Sequence, residues 1–224
     1  RRVLRALENS RAAALRVGLI SLGCAKNLVD AEIMLGSLLK DGIEITNEAA
    51  QADVVIVNTC SFIDSAQEES VDTILESAAV REAKNRGQGL VVSGCLPQRF
   101  REDLPKLFPE VDAFMGIDQV ANVSEIVKLA LARRAGKIGR QKPETSRRKP
   151  AAKTRLAELE SAQAVSEHAA AESLRGTNKF GNTKAVLTAG HTTRHPSPGP
   201  LLEVTARPTY IPDYGTPRFR LTPR

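Results

Sequence analysis

The sequence predicts an α/β protein: an open parallel five-stranded sheet with helices on both faces, followed by an irregular C-terminal extension. Three observations predict it. Strand and helix signals alternate through residues 16–135, the pattern of strand–helix–strand units. The runs DVVIVN (53–58) and GLVVSG (89–94) are nearly continuously apolar, as parallel strands covered on both faces should be. Finally, the chain's three cysteines, Cys24, Cys60 and Cys95, lie 36 and 35 residues apart, each just after such a run.

The first strand is RVGLIS (16–21), read from its apolar run. A helix follows from Lys26 to Lys40, with Leu28, Ile33, Leu35, Leu38 and Leu39 as its apolar stripe. Asp41-Gly42 ends it with turn chemistry. IEIT (43–46) is a short edge strand and DVVIVN (53–58) the third strand. A long helix runs from Ser65 to Arg86, with Asp64 as N-cap, Gln67 completing a capping box, and Gly87 as the stop. GLVVSG (89–94) is the fourth strand, and Pro97 suits the first turn of a short helix. Ala113–Met115 is the fifth strand and Gln119–Arg134 the closing helix. A short second strand suggests the flavodoxin-like order 2-1-3-4-5, in which the strands carrying the three cysteines are neighbours.

Composition bounds the rest. The 224 residues are 42% hydrophobic and 26% charged, ordinary for a globular protein. No apolar run approaches the roughly 18 residues of a membrane span, so no membrane partner is expected. An odd cysteine count does not suit a closed disulfide framework, and reduced thiols point to the cytoplasm. Residues 1–15 are a basic N-terminal extension without the apolar core of a secretory signal. Residues 1–135 carry 16 Lys+Arg against 19 Asp+Glu, whereas residues 136–224 carry 16 against 7. The excess of positive charge therefore belongs to the tail. Residues 136–200 read as a basic linker or insertion, largely disordered, although 154–176 is rich in helix formers. Residues 201–224 read as an extended segment. The basic tail is either a solvated linker or a surface touching nucleic acid or the ribosome.

Neighbouring parallel strands lie about 4.8 Å apart, so loops leaving three of them at one edge bring three thiolates together. Thiolates are soft ligands, suited to iron–sulfur clusters, zinc and copper(I). Three cysteines on separate loops suit a cluster with one iron left without a protein ligand. Gly23 and Gly94 precede Cys24 and Cys95, and glycine there lets backbone approach a bulky group. The plainer alternative is that the three cysteines are small buried hydrophobes. A third reading takes CLPQRFR, a Cys-x5-Arg spacing from Cys95 to Arg101, as a phosphatase-type loop. That loop lacks glycine, and Arg99 and Arg101 read as surface charges on a short helix. Lys26, Asn27 and Asp30 beside Cys24, and Asn58 and Thr59 before Cys60, either contact a ligand or hold the loops by side-chain hydrogen bonds.

ISLGCAKNLVDAE (20–32), ADVVIVNTCSFIDSAQEES (52–70), VVSGCLPQRF (91–100) and PEVDAFMG (109–116) resemble the N-terminal domain of radical S-adenosylmethionine methylthiotransferases. The resemblance covers about residues 16–135. GCAKNLVDAE and NTCSFIDSAQEES are similar to the branch that modifies an aspartate of small-subunit ribosomal protein 12, and TPRFRLTPR to the segment leading into that family's radical domain.

The resemblance implies that Cys24, Cys60 and Cys95 ligate an auxiliary 4Fe–4S cluster that handles sulfur. It also implies S-adenosylmethionine and a second 4Fe–4S cluster in the full-length enzyme, the latter on a CxxxCxxC motif. No cysteine follows Cys95, so the chain is read as the first part of a longer enzyme, inactive alone. Its implied partner is ribosomal protein 12 or the ribosome. Two alternatives stay open: a tRNA adenosine methylthiotransferase domain, and a non-catalytic cluster-binding module if the gene ends at Arg224.

Overall fold

Six strands form the described sheet: β1 (Arg16–Ser21), β2 (Glu44–Ile45), β3 (Val54–Thr59), β4 (Gly89–Gly94), β5 (Ala113–Met115) and β6 (Leu201–Glu203). They are all parallel and ordered β2-β1-β3-β4-β5-β6. The helices are α1 (Ala25–Lys40), α2 (Asp64–Lys84), α3 (Cys95–Arg99), α4 (Leu104–Leu107), α5 (Val123–Arg140) and α6 (Ala152–Arg175). The computed structural model describes residues 14–140, 151–175, 200–205, 216–219 and 221.

The open parallel α/β sheet is as expected, with one strand more than the five anticipated. β6 lies beside β5 in parallel register, Ala113 opposite Leu201 and Met115 opposite Glu203. It starts the segment read as extended, and it was hidden because three residues after a Pro-Gly-Pro run carry no period. What selects it is the open edge of the buried strand β5.

The strand residues alternate between two cores. Val54 and Ile56 of β3 pack with α1 and α5 through Ile33, Met34, Leu38, Val123, Ile126 and Val127. Val55 and Val57 face the other way, onto Val71 and Ile74 of α2, Leu96 of α3 and Phe108. With both faces covered, the strands need no polar side, which explains their unbroken apolar runs.

Several element ends differ from expectation. Helix α2 begins at Asp64 itself; Ile63 occupies the N-cap position in extended conformation and no side chain caps it. Asp64 acts there as a first-turn acid on the helix dipole. Ser70 binds both backbone groups of Cys60, so a tertiary contact sets the helix entry. Asn85, before Gly87, occupies the C-cap position. The closing helix is preceded by a 3-10 turn at Ile117–Asn122 and runs on to Arg140. Lys137 extends it by bonding Val111 O and Asp112 Oδ1, both at 2.9 Å. Residues 136–140, read as linker, are therefore helical. So are 152–175, whose Arg155 and Leu159 are buried against the domain. Residues 1–13, 141–150, 176–199, 206–215, 220 and 222–224 lie outside the described residues, and so does most of the stretch expected to be disordered.

The middle of α1 also carries the last described residues of the chain. Phe219 N–H donates to Glu32 O at 2.9 Å, Leu221 N–H to Glu32 Oε1 at 3.1 Å, and Arg218 pairs with Glu32 Oε2 at 2.5 Å. This strap crosses α1 at Gly36, where a Cβ would stand 2.6 Å from Arg218 N.

Candidate metal centre

All three cysteines stand at the carboxyl edge of the sheet, at the ends of adjacent strands. Ser21 pairs with Asn58, and Thr59 with Gly94. Cys60 and Cys95 are therefore the next residues of neighbouring strands, and Cys24 follows the end of β1 by three residues. This is the crevice outside strand ends near the β1/β3 switch point, where open α/β sheets bind ligands.

Each loop is shaped by an identifiable contact. Gly23 has φ +86°, and a Cβ on it would lie 2.3 Å from Cys60 Cβ and 2.8 Å from Cys60 Sγ. Gly94 has φ +97°, and its Cβ would lie 2.3 Å from Thr59 O. The first and second loops, and the second and third, thus touch at positions only glycine can occupy. Ser70 of α2 accepts from Cys60 N–H at 3.0 Å and lies 2.8 Å from Cys60 O. Thr59 Oγ1 donates to Ser93 O at 2.5 Å. Asn27 Nδ2 donates to Leu22 O at 2.9 Å and Thr59 O at 2.7 Å, and Asn58 Nδ2 to Asn27 O at 2.9 Å.

The thiols grade from solvent to interior. Cys24 is exposed at the N-cap position of α1, Cys95 is half-buried as the first residue of α3, and Cys60 is 2% exposed. The backbone N–H of Asn27 is the main cause that holds the Cys24 thiol below its ordinary pKa; burial opposes it, and the N–H groups of Lys26 and Cys24 and the Lys26 charge add to it. Burial pushes the Cys95 thiol up; the Lys26 charge opposes this, and the neighbouring sulfurs of Cys60 and Cys24 add to it. The other two sulfurs thus both act on Cys95.

The other residues expected here divide. Lys26 Nζ pairs with Asp30 Oδ2 at 2.7 Å across one turn of α1, a local ion pair that keeps a cation beside the thiols. Asn27, Asn58 and Thr59 hold the loops. Arg99 is exposed but is more than a surface charge: Nη1 donates to Ser61 O at 2.8 Å and the guanidinium sits over Phe100. Residues 95–99 are helical, so their amides follow the helix axis rather than surround an anion, and the phosphatase-type reading has no cradle. Ser70 was not foreseen. Its only sequence signal is a small hydroxyl on the buried face of α2, ten residues after Cys60.

Residues 16–116 match the profile of a family described as uncharacterized protein family UPF0004. The α/β domain of this chain belongs to that family. Relatives include three proteins named ribosomal protein uS12 methylthiotransferase RimO. The one from Akkermansia muciniphila is 54% identical over 121 residues, 53% of this chain and 27% of the relative. The one from Opitutus terrae is 39% identical over 213 residues, 94% of this chain and 33% of the relative. The one from Geobacter sulfurreducens is 52% identical over 113 residues, 50% of this chain and 25% of the relative. The domain is thus the N-terminal domain of RimO-type proteins, and the chain spans about a quarter to a third of the length of these curated relatives.

Three features bear on whether an iron–sulfur cluster fits. The donor set is three thiols, the ligands such clusters take. Gly23 and Gly94 leave no Cβ where the cysteine loops meet. Asn58 Oδ1 is buried between the loops with no partner among protein atoms, an acceptor that sulfide or thiolate sulfur, an acceptor itself, does not satisfy. Among the described residues no three His, Cys, Asp or Glu close on a single-ion position; in a cluster each thiolate takes a separate iron. The residues fit such a group. Among the described residues no helix is long and apolar enough to cross a membrane.

Proposed function

We propose that this chain supplies the N-terminal, cluster-binding part of a methylthiotransferase acting on an aspartate of ribosomal protein uS12. One observation carries the reading: Cys24, Cys60 and Cys95 stand at adjacent strand ends in a domain whose relatives bear that enzyme's name. The relatives' naming for uS12 favours the ribosomal-protein branch over the tRNA branch. The partner is uS12 or the ribosome that carries it, which places the reaction in the cytoplasm.

Cys24, Cys60 and Cys95 would hold a 4Fe–4S cluster, which when bound supplies an iron without a protein ligand as an attachment point for sulfur. The chain's own residues orient the thiolates. Ser70 fixes the Cys60 backbone, so the deepest ligand cannot swing. The first amides of α1 and the Lys26 ammonium offset charge on Cys24, as the positive end of a helix does. Gly23 and Gly94 keep side chains out of the space between the loops. S-adenosylmethionine, the second cluster and the radical step would belong to the two-thirds or more of the relatives' length that this chain does not span.

Anaerobic reconstitution tests the reading, with iron and sulfide counted per chain. About four of each are expected, together with their loss in Cys95→Ala. Well-folded protein that takes up neither would overturn it.

A further inference from the structure

We propose that Asn27 is a positioning residue that joins the three cysteine loops into one site. The inference rests on the cluster-binding reading above only for its consequence in iron binding; the joining itself is a property of the metal-free chain.

Asn27 is fully buried, a polar residue in the first turn of α1 where an apolar one would be ordinary. Its amide offers two N–H donors and one carbonyl acceptor, and each points at a different part of the site. One N–H goes to Leu22 O, in the loop that leads to Cys24, and the other to Thr59 O, in the peptide joining β3 to Cys60. Oδ1 lies 3.8 Å from Cys95 Sγ, an acceptor for that thiol. The backbone takes part as well: Asn27 O accepts from Asn58 Nδ2. One residue therefore contacts all three cysteine loops. The orientation of the amide follows from its partners, since the flipped amide would aim oxygen at two carbonyls.

The chemistry is specific to asparagine. Aspartate has the same shape but no donor for the two carbonyls. Leucine is of similar size and makes no hydrogen bond. Glutamine is a methylene longer, and the space is closed: the position of a Cβ on Gly23 lies 3.6 Å from Asn27 Nδ2, and Thr59 O is boxed from the other side by Gly94. When Cys95 loses its proton the contact to Oδ1 goes, but both Nδ2–H bonds remain, and the one to Thr59 O keeps the first two loops joined.

The test compares the 224-residue chain with Asn27→Leu and with the milder Asn27→Ser, which admits water. Amide hydrogen exchange is followed in the metal-free proteins. Loss of the two Nδ2–H bonds should lower protection of residues 22–28 and 59–61 by roughly 10–100-fold while β3 and β4 stay protected. Iron of reconstituted protein should pass to a chelator at least about tenfold faster, with a changed electron paramagnetic resonance spectrum of the reduced cluster. Unchanged loop protection in Asn27→Leu overturns the proposal. So does a parallel loss of protection in loops and strands of both variants, which would make Asn27 a general stability residue. If the unsubstituted chain takes up no iron, the cluster-binding reading fails while loop exchange still decides the role of Asn27.

Discussion

Cys24, Cys60 and Cys95 occupy equivalent places in the chain and unequal places in the molecule. Cys24 sits in water at a helix start, where backbone N–H groups stabilise its thiolate; Cys95 is half-buried beside two other sulfurs. Because the thiolate is the reactive form, a thiol held low reacts at lower pH than one pushed up. In the metal-free chain, iodoacetamide should therefore label Cys24 with a midpoint below the ordinary thiol value and Cys95 with one above it, followed by peptide mass spectrometry. Labelling of Cys95 at the lower pH would contradict this assignment. The three cysteines and their strand-end spacing were legible in the sequence because they rest on local pattern. Ser70 and the true start of α2 were not, because each depends on a partner brought close by folding: Ser70 matters only once Cys60 lies against its hydroxyl.

Among the elements, α2, α5 and α6 are bound to the amino edge of the sheet by a charged network. Arg81 of α2 is 1% exposed and Asp112, just before β5, is 0% exposed; Nη1 and Oδ2 are 2.9 Å apart. Asp112 Oδ2 also accepts from Leu90 N–H at 3.0 Å, and Oδ1 pairs with Lys137 of α5 at 2.9 Å. Arg155 of α6 pairs with Glu110 at 2.7 Å and lies over Phe108. A buried pair is weak grounds for stability, but removing one partner leaves the other charge uncompensated, at about 3–5 kcal/mol. Asp112→Ala should lower Tm by roughly 6–20 °C, at about 2–4 °C per kcal/mol for a chain of this size. Thermal unfolding checks this, and folded protein should still take up iron, because the network is at the sheet edge opposite the cysteines. An Asp112→Ala variant within a degree or two of the parent would show that the network contributes little. The sequence marks 154–176 as helix-prone but offers a thin apolar face; α6 is held by Arg155 and Leu159, a buried arginine that hydrophobic periodicity does not register.

For the molecule as a whole, the strap at residues 216–219 and 221 ties the end of the described chain back to α1. Gly36 makes room for it. Gly36→Leu should raise the helix propensity of α1 by about 1 kcal/mol while displacing the strap. Trypsin should then cut after Arg218 several-fold faster with the α/β domain intact, as seen by mass spectrometry. An unchanged cutting rate would mean that the strap is held elsewhere. The sequence by itself determined the parallel α/β architecture, the neighbouring placement of the three cysteine-bearing strands and the family, because apolar runs, turn residues and spacing act along the chain. Only the tertiary structure decided the sixth strand, the extended α5, the docking of α6 and the joining of the cysteine loops through Asn27 and Ser70. Each depends on a group far away in sequence whose hydrogen bond, charge or open edge exists only after the sheet has formed.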